Sequence, residues 1–196
     1  MGIVRVIGTI YTRDVHIARA LLVGAALAVL PPLAFVVTDR VVYHFERENP
    51  FCVSCHLHEH LLTTFEAGAV AATDLSAVHF AATEEPRCIA CHKGEGTIER
   101  AKVLAVAGRD TLKYLIGVHR EPDHSDVPIA DAGCTRCHDR LGAVSGGADF
   151  HQRAEHRALP MACVSCHQAH HGGDPSQSFL NEAHVVPVCR TCHTTL

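Results

Sequence analysis

The sequence predicts a mostly α-helical and irregular fold, with a single N-terminal transmembrane helix followed by a domain of short helices and loops. Two observations predict these two parts. An apolar run without charges extends from Ala20 to Val37. After it, the pattern Cys-x-x-Cys-His occurs five times. Roughly thirty residues for each copy are too few to build an apolar core between copies.

The apolar run is long enough to cross the hydrocarbon core of a bilayer as a helix. Pro31 and Pro32 lie inside it and predict a kink, which membrane helices tolerate when the freed carbonyl groups find partners. The flanking charges are Arg5, Arg13 and Arg19 before the run, and Asp39 and Arg40 after it. The positive-inside rule therefore predicts a cytoplasmic N-terminus (1–17), an anchor (18–38) and a periplasmic domain (39–196) in a bacterial inner membrane.

A cleaved signal peptide is the competing interpretation of the same run. The segment from Gly24 to Ala28 offers the small residues that a cleavage site needs. The leading region is long, however, and the apolar run continues well past this point. We therefore expect an uncleaved anchor, and both interpretations place every cysteine outside the cytoplasm.

The repeated motif is the attachment signature of covalent c-type haem, in which two cysteines form thioethers and the histidine binds the iron. All ten cysteines belong to the five copies, and a histidine follows every pair, which argues against zinc sites, iron–sulfur clusters and disulfides. The copies are motif 1 (Cys52, Cys55, His56), motif 2 (Cys88, Cys91, His92), motif 3 (Cys134, Cys137, His138), motif 4 (Cys163, Cys166, His167) and motif 5 (Cys189, Cys192, His193). We expect the chain to wrap around five covalently bound c-haems as a multihaem cytochrome c domain, the porphyrins forming its core.

Each haem needs a second axial ligand, and histidine is the residue type that can supply it. Met1 is predicted to be cytoplasmic, and Met161 lies only two residues before Cys163. Five motif histidines out of 17 leave twelve others, so we expect low-potential haems with two histidine ligands. A histidine precedes each motif, and we expect it to bind a neighbouring haem; these are His44, His79, His124, His156 and His184. The remaining alternatives are His58, His60, His119, His151, His170 and His171.

Two helices are predicted clearly by their apolar spacing, at 57–72 and at 97–117, the second with Thr97 as its N-cap. A shorter helix is predicted at 148–159, and loops at 120–133 and 168–180. Basic residues are scattered and the net charge is −4, so composition does not indicate a nucleic-acid partner.

The order of these features resembles the NapC/NirT family of membrane-bound quinol dehydrogenases, which includes the small subunit of cytochrome c nitrite reductase. The likeness covers roughly residues 1–172: a short N-terminus, one anchor, an early motif, and the stretch from His79 through motif 2 to Gly117. The region from Phe150 to motif 4 is also similar. The resemblance implies that His79 is a distal ligand, and that menaquinol or ubiquinol reduces the first haem beside the membrane. Electrons would then pass to a periplasmic reductase or cytochrome partner.

The chain departs from that family in two places. Motif 5 adds a fifth haem to the usual four. His58 stands where the family commonly has a methionine that binds the first iron, which makes His58 a candidate ligand there. The distal candidates are thus His58, His79, His124, His156 and His184.

Quinol oxidation requires a proton acceptor beside the first haem. Asp110 is the candidate acceptor, with Lys102 or Arg109 binding the quinol oxygen; the alternative is that all three lie on a solvated helix face. Two other functions stay open. One is a subunit of a haem filament or larger respiratory complex, as a homo- or hetero-oligomer without its own quinol site. The other is an oxidoreductase with an open haem, acting on a nitrogen or sulfur oxyanion.

Overall fold

The computed structural model describes residues 2–55, 57–122, 124–138, 151, 153, 156 and 161–195. The chain divides into two compact units, Met1–His44 and Phe45–Leu196. The described residues are mostly helical and contain no strand; two isolated bridges join Asp74 to Gly172 and Asp174 to Leu180. The helical part of the predicted fold class is therefore confirmed.

Helix α1 extends from Gly2 to Glu46, well beyond both ends of the predicted anchor. The segment Val15–Glu46 is long and apolar enough to cross a membrane, and an 18-residue window within it has a mean hydropathy of 2.4. The helix continues through Pro31 and Pro32. Between Ile17 and Val41 most of the large apolar side chains are exposed, as Leu22 and Leu27 are at 70%.

The second unit is built from short helices. They are α2 (Asn49–Cys52), α3 (Glu59–Ala67), α4 (Leu75–Ala82), α5 (Ile89–His92), α6 (Gly96–Leu115), α7 (Asp131–Thr135) and α8 (Glu182–Arg190), with 3₁₀ turns at Cys163–Ser165 and Pro175–Gln177. Only three apolar side chains in the described part of this unit are buried: Phe65, Ala77 and Ile89. So small a set of buried side chains fits a unit that does not depend on a conventional apolar core.

The predicted helix at 97–117 is present as α6, but its N-cap is Glu95 and not Thr97. The correction has a local cause. Gly96 adopts φ +69°, and the Glu99 carboxylate accepts a hydrogen bond from the backbone N–H of Glu95 at 2.8 Å. This satisfies one of the free donors at the helix start, as a capping box does.

The predicted helix at 57–72 is shorter in the structure, where α3 covers Glu59–Ala67. It ends at Gly68, where a Cβ atom would overlap the carbonyl of Ala77 in α4. Helix α4 was not predicted. Helix α7 begins within the predicted loop 120–133 and ends beyond it, and the 3₁₀ turn Pro175–Gln177 lies within the predicted loop 168–180. The predicted helix at 148–159 lies outside the described residues, apart from residues 151, 153 and 156.

Candidate haem-binding sites

Motifs 2 to 5 share one backbone conformation. In each, the carbonyl of the first cysteine accepts hydrogen bonds from the backbone N–H groups of the second cysteine, at 3.2 Å, and of the histidine, at 2.9 to 3.1 Å. Such a single helical turn brings residues i and i+3 to one face. Both cysteine side chains of a motif can therefore reach one planar group.

Motif 1 is arranged differently. Its first cysteine, Cys52, is the last residue of α2, and its histidine, His56, lies outside the described residues. Two residues later, His58 adopts the left-handed conformation with φ +64°, directly before α3. Glu121 lies against it: one carboxylate oxygen accepts a hydrogen bond from the His58 backbone N–H at 2.7 Å and lies 3.2 Å from its Nδ1. The same oxygen lies 3.3 Å from Nδ1 of His60.

Each described motif histidine faces one other histidine ring. The distances between ring centroids are 5.9 Å for His138 and His79, 6.1 Å for His92 and His170, 6.0 Å for His167 and His151, and 6.1 Å for His193 and His156. Two imidazoles that bind one metal from opposite sides, each through a nitrogen about 2 Å from it, have centroids about 6 Å apart. All four pairs have the spacing that an axially ligated haem iron needs.

The hydrogen bonds of these rings also fit metal binding. Nδ1 of His79 lies 2.7 Å from the carbonyl oxygen of Leu75. If Nδ1 donates there, the lone pair stays on Nε2, as is usual for metal-bound histidine. Nδ1 of His170 is buried and has no hydrogen-bond partner in the described part of the chain. An orphaned nitrogen of this kind is costly unless a ligand satisfies it.

The electrostatics favour neutral rings. Desolvation by the surrounding chain, and then the neighbouring imidazole of His170, lower the pKa of His92. Desolvation likewise lowers the pKa of His167, with the facing ring of His151 as the second cause, and it lowers the pKa of His170. Metal ligation requires the neutral form, so these shifts act in the direction that haem binding needs.

Among the predicted distal ligands, His79 and His156 lie in facing pairs, together with the alternatives His151 and His170. His184 instead lies with Nε2 3.0 Å from the Ser165 carbonyl, and His124 lies with Nε2 3.9 Å from Asp126. The histidines that lie in facing pairs are not distinguished from His124 and His184 by their distance along the chain from a motif. The buried Nδ1 of His170 and the paired rings arise only when the chain folds, so the sequence does not indicate them.

The segments that carry consecutive motifs contact one another in order. The Asn49 side chain, at the start of α2, bonds to the Pro86 carbonyl and to the Cys88 N–H, both at 3.0 Å. The neighbouring Cys88 side chain raises the pKa of the Cys52 thiol. Further contacts continue the series: Arg136 to the Ala90 carbonyl at 3.0 Å, Asp131 to the Cys163 N–H at 2.7 Å, and His184 to the Ser165 carbonyl. The segments that carry the five motifs are therefore joined in order, each to the next by hydrogen bonds.

The predicted quinol-binding residues lie in a surface network. Arg109 donates two hydrogen bonds to Asp110, at 2.9 and 3.0 Å, and also binds Asp126, while Lys113 lies 3.3 Å from Asp110. The hydrogen bond from Arg109 is the largest cause that lowers the pKa of Asp110. A carboxylate with a lowered pKa is a weak proton acceptor near neutral pH. Lys102 is exposed on the same helix.

In the described part of the chain, no group of three or more His, Cys, Asp or Glu residues is arranged to hold a metal ion. Paired imidazoles suffice for haem, because the porphyrin supplies the other four iron ligands. No protein-family model, curated protein or solved structure matches the chain.

Proposed function

We propose that this chain is a membrane-anchored pentahaem c-type cytochrome that transfers electrons between the membrane quinol pool and a periplasmic redox partner. The observation that carries the proposal is the coincidence of sequence and geometry at motifs 2 to 5. Each motif histidine faces one further histidine ring at about 6 Å, the spacing of two imidazoles on one metal. A zinc or disulfide use of the cysteines gives no reason for these histidine pairs.

The residues that would hold haem are the cysteines and histidine of each motif together with the facing histidine. Bound haem supplies a one-electron iron couple whose potential depends on its axial ligands. Hydrogen bonds join the segments that carry consecutive motifs, which supports an ordered series of sites. The first motif follows the predicted anchor in the sequence, which suits entry of electrons from a membrane quinol at that end of the series.

The first site is the one that differs. His58 stands two residues after His56, and Glu121 accepts a hydrogen bond from its backbone N–H. The same carboxylate lies 3.2 Å from the His58 Nδ1, which is buried without a hydrogen-bond partner in the described part of the chain. A nearby carboxylate favours an imidazole whose Nε2 is free to bind a metal, and this supports His58 as a ligand of the first haem, with Glu121 holding its backbone.

One experiment tests the proposed transfer of electrons from membrane quinol to the protein. Asp110→Asn should slow haem reduction by a quinol analogue in detergent-solubilised full-length protein, while reduction by dithionite stays unchanged. The control is Asp131→Asn, because Asp131 binds the backbone of Cys163 far along the series. Equal quinol rates in wild type and Asp110→Asn would show that Asp110 is not the proton acceptor, and Lys102→Ala and Arg109→Ala would then test the other two candidates in the same assay.

One observation favours a second function, an electron-transfer subunit of a larger complex without its own quinol site. Asp110 is bound by two cations and lies in a network with Asp126, so its contacts are those of a solvated helix face. In that case quinol would reduce none of the haems of the isolated protein, whereas a reduced partner protein would reduce all of them.

A further inference from the structure

A buried carboxylate lies where the start of α4 meets the segment 169–172. Asp74 is 3% exposed, and its Oδ1 accepts hydrogen bonds from the Ser76 hydroxyl and the Ala77 N–H, both at 2.8 Å. The backbone N–H of Ser76 donates to the Ala169 carbonyl at 2.8 Å, and Asp74 forms an antiparallel bridge with Gly172. The start of α4 is therefore fixed to the chain on both sides of residue 170.

Two facing histidines depend on this junction. His79 lies in the second turn of α4 and faces His138 of motif 3. His170 lies between Ala169 and Gly172 and faces His92 of motif 2. The two rings thus face different motifs, yet the backbone segments that carry them meet at residues 74–76, which the Asp74 carboxylate holds in place through Ser76 and Ala77.

We propose that Asp74 is a positioning residue for two haem sites at once, holding the distal histidines of motifs 2 and 3 in place. The inference rests on the proposed haem binding and adds a residue that neither the motifs nor the histidine pattern indicate. A residue that only capped α4 would affect His79 alone. Asp74 also holds the hydroxyl of Ser76, whose backbone N–H donates to the Ala169 carbonyl, and through this residue its effect extends to His170.

The chain contains a matched control. Asp174 has the same Asp-x-Ser arrangement, and its Oδ1 accepts from the backbone N–H of Ser176 at 2.8 Å and from its hydroxyl at 2.7 Å. It caps an exposed 3₁₀ turn, and neither bonded group belongs to a histidine-bearing segment. Asp74→Ala and Asp174→Ala therefore remove the same capping chemistry from two different places.

The experiment uses the full chain, matured with haem and solubilised in detergent. Carbon monoxide binds reduced haem only where an axial position is open, so its stoichiometry counts the displaced distal ligands. Asp74→Ala should bind two more carbon monoxide molecules per chain than wild type, and its electron paramagnetic resonance spectrum should lose two low-spin signals. Asp174→Ala should match wild type, and Asp74→Asn should largely restore it, since the amide oxygen can accept the same bonds.

An unchanged carbon monoxide stoichiometry in Asp74→Ala would overturn the proposal. If the variant binds only one more carbon monoxide molecule than wild type, Asp74 acts only as the N-cap of α4, and the proposed role at two sites is wrong. If Asp74→Ala does not accumulate, Ser76→Ala removes one of the two side-chain hydrogen bonds and should open both sites partially. A wild-type count other than five haems would instead contradict the proposed function. Five haems with no change in either variant would contradict only the role of Asp74.

Discussion

Motif 1 and motifs 2 to 5 have the same sequence pattern but different local structures. The later motifs each begin a helical turn, and each motif histidine faces a second imidazole. In motif 1, Cys52 ends a helix, and the chain continues into His58 in a left-handed conformation. A non-glycine residue in this region costs about 1–2 kcal/mol, so the surrounding contacts must stabilise it.

The difference teaches that, under the proposed haem binding, the repeated motif would set the attachment site but not the second ligand. In motifs 2 to 5 the facing histidine comes from another segment of the chain, as His170 does for His92. At motif 1 the candidate is two residues away and is contacted by Glu121, 63 residues further along the chain. We therefore expect the first haem to respond to substitutions that leave the other four unaffected.

The largest expected effect concerns the buried ion pair near motif 1. Arg100, 4% exposed, donates to both carboxylate oxygens of Glu46, at 3.3 and 2.6 Å. Arg100→Leu leaves the Glu46 carboxylate buried without its partner, which should lower the free energy of unfolding by about 3–5 kcal/mol. Urea unfolding of the solubilised protein measures this loss.

The control is Arg109→Leu, which breaks an exposed pair and should cost less than about 1 kcal/mol. Equal losses in the two variants would show that the Arg100 pair has no special role beside motif 1.

The next effect tests the ligand of the first haem directly. His58→Met should raise the potential of one haem by on the order of 0.1 V, because methionine ligation favours the reduced iron; this is about 2.3 kcal/mol. His151→Met is the matched substitution at motif 4 and should raise a different haem by a similar amount. A spectroelectrochemical titration that shows a shift for His151→Met and none for His58→Met would remove His58 from the first site.

A smaller effect concerns the packing that carries His79. A Cβ atom at Gly68 would overlap the Ala77 carbonyl, so Gly68→Ala must separate α3 from α4 and should cost about 1–3 kcal/mol. At Gly108, in α6, nothing lies within 4 Å of an added Cβ. Gly108→Ala should therefore stabilise the protein by about 0.5–1 kcal/mol. Thermal unfolding midpoints that move in the same direction in both variants would contradict this account of the α3–α4 contact.

The smallest effect is a pH dependence at Asp110, which is about half exposed. Its pKa is lowered by the hydrogen bond from Arg109, so its stabilisation is present above the ordinary carboxyl pKa of 3.8 and is lost as the pH falls through the lowered value. Asp110→Asn should destabilise by less than about 1 kcal/mol at pH 7, and the difference from wild type should shrink towards pH 3 and in high salt. A difference that increases on acidification would have the wrong sign.

The sequence predicted the elements whose signals are local. Glycines bracket α6, and the structure places it at Gly96–Leu115 with Gly94, Gly96 and Gly117 at positive φ. The uncharged run predicted a helix long enough to span a membrane. Both signals lie within a single stretch of chain, where spacing and backbone freedom decide the outcome.

The sequence did not predict elements whose stability comes from distant partners. Helix α4 begins at a buried aspartate bonded to a segment about a hundred residues later, and α8 contains Pro187, which normally argues against a helix. The facing rings have the same origin, since His170 and His151 are no different in local sequence from His184 or His124. Only the fold shows which of these histidines lies opposite a motif histidine.

The measurement that tests the central claim most directly is the number of haems per chain, by pyridine haemochrome absorbance on quantified full-length protein. The account predicts five covalently bound haems, and in the near-infrared magnetic circular dichroism of the oxidised protein at least four should show bis-histidine ligation. A count other than five, or a methionine–histidine band from any of motifs 2 to 5, would contradict it.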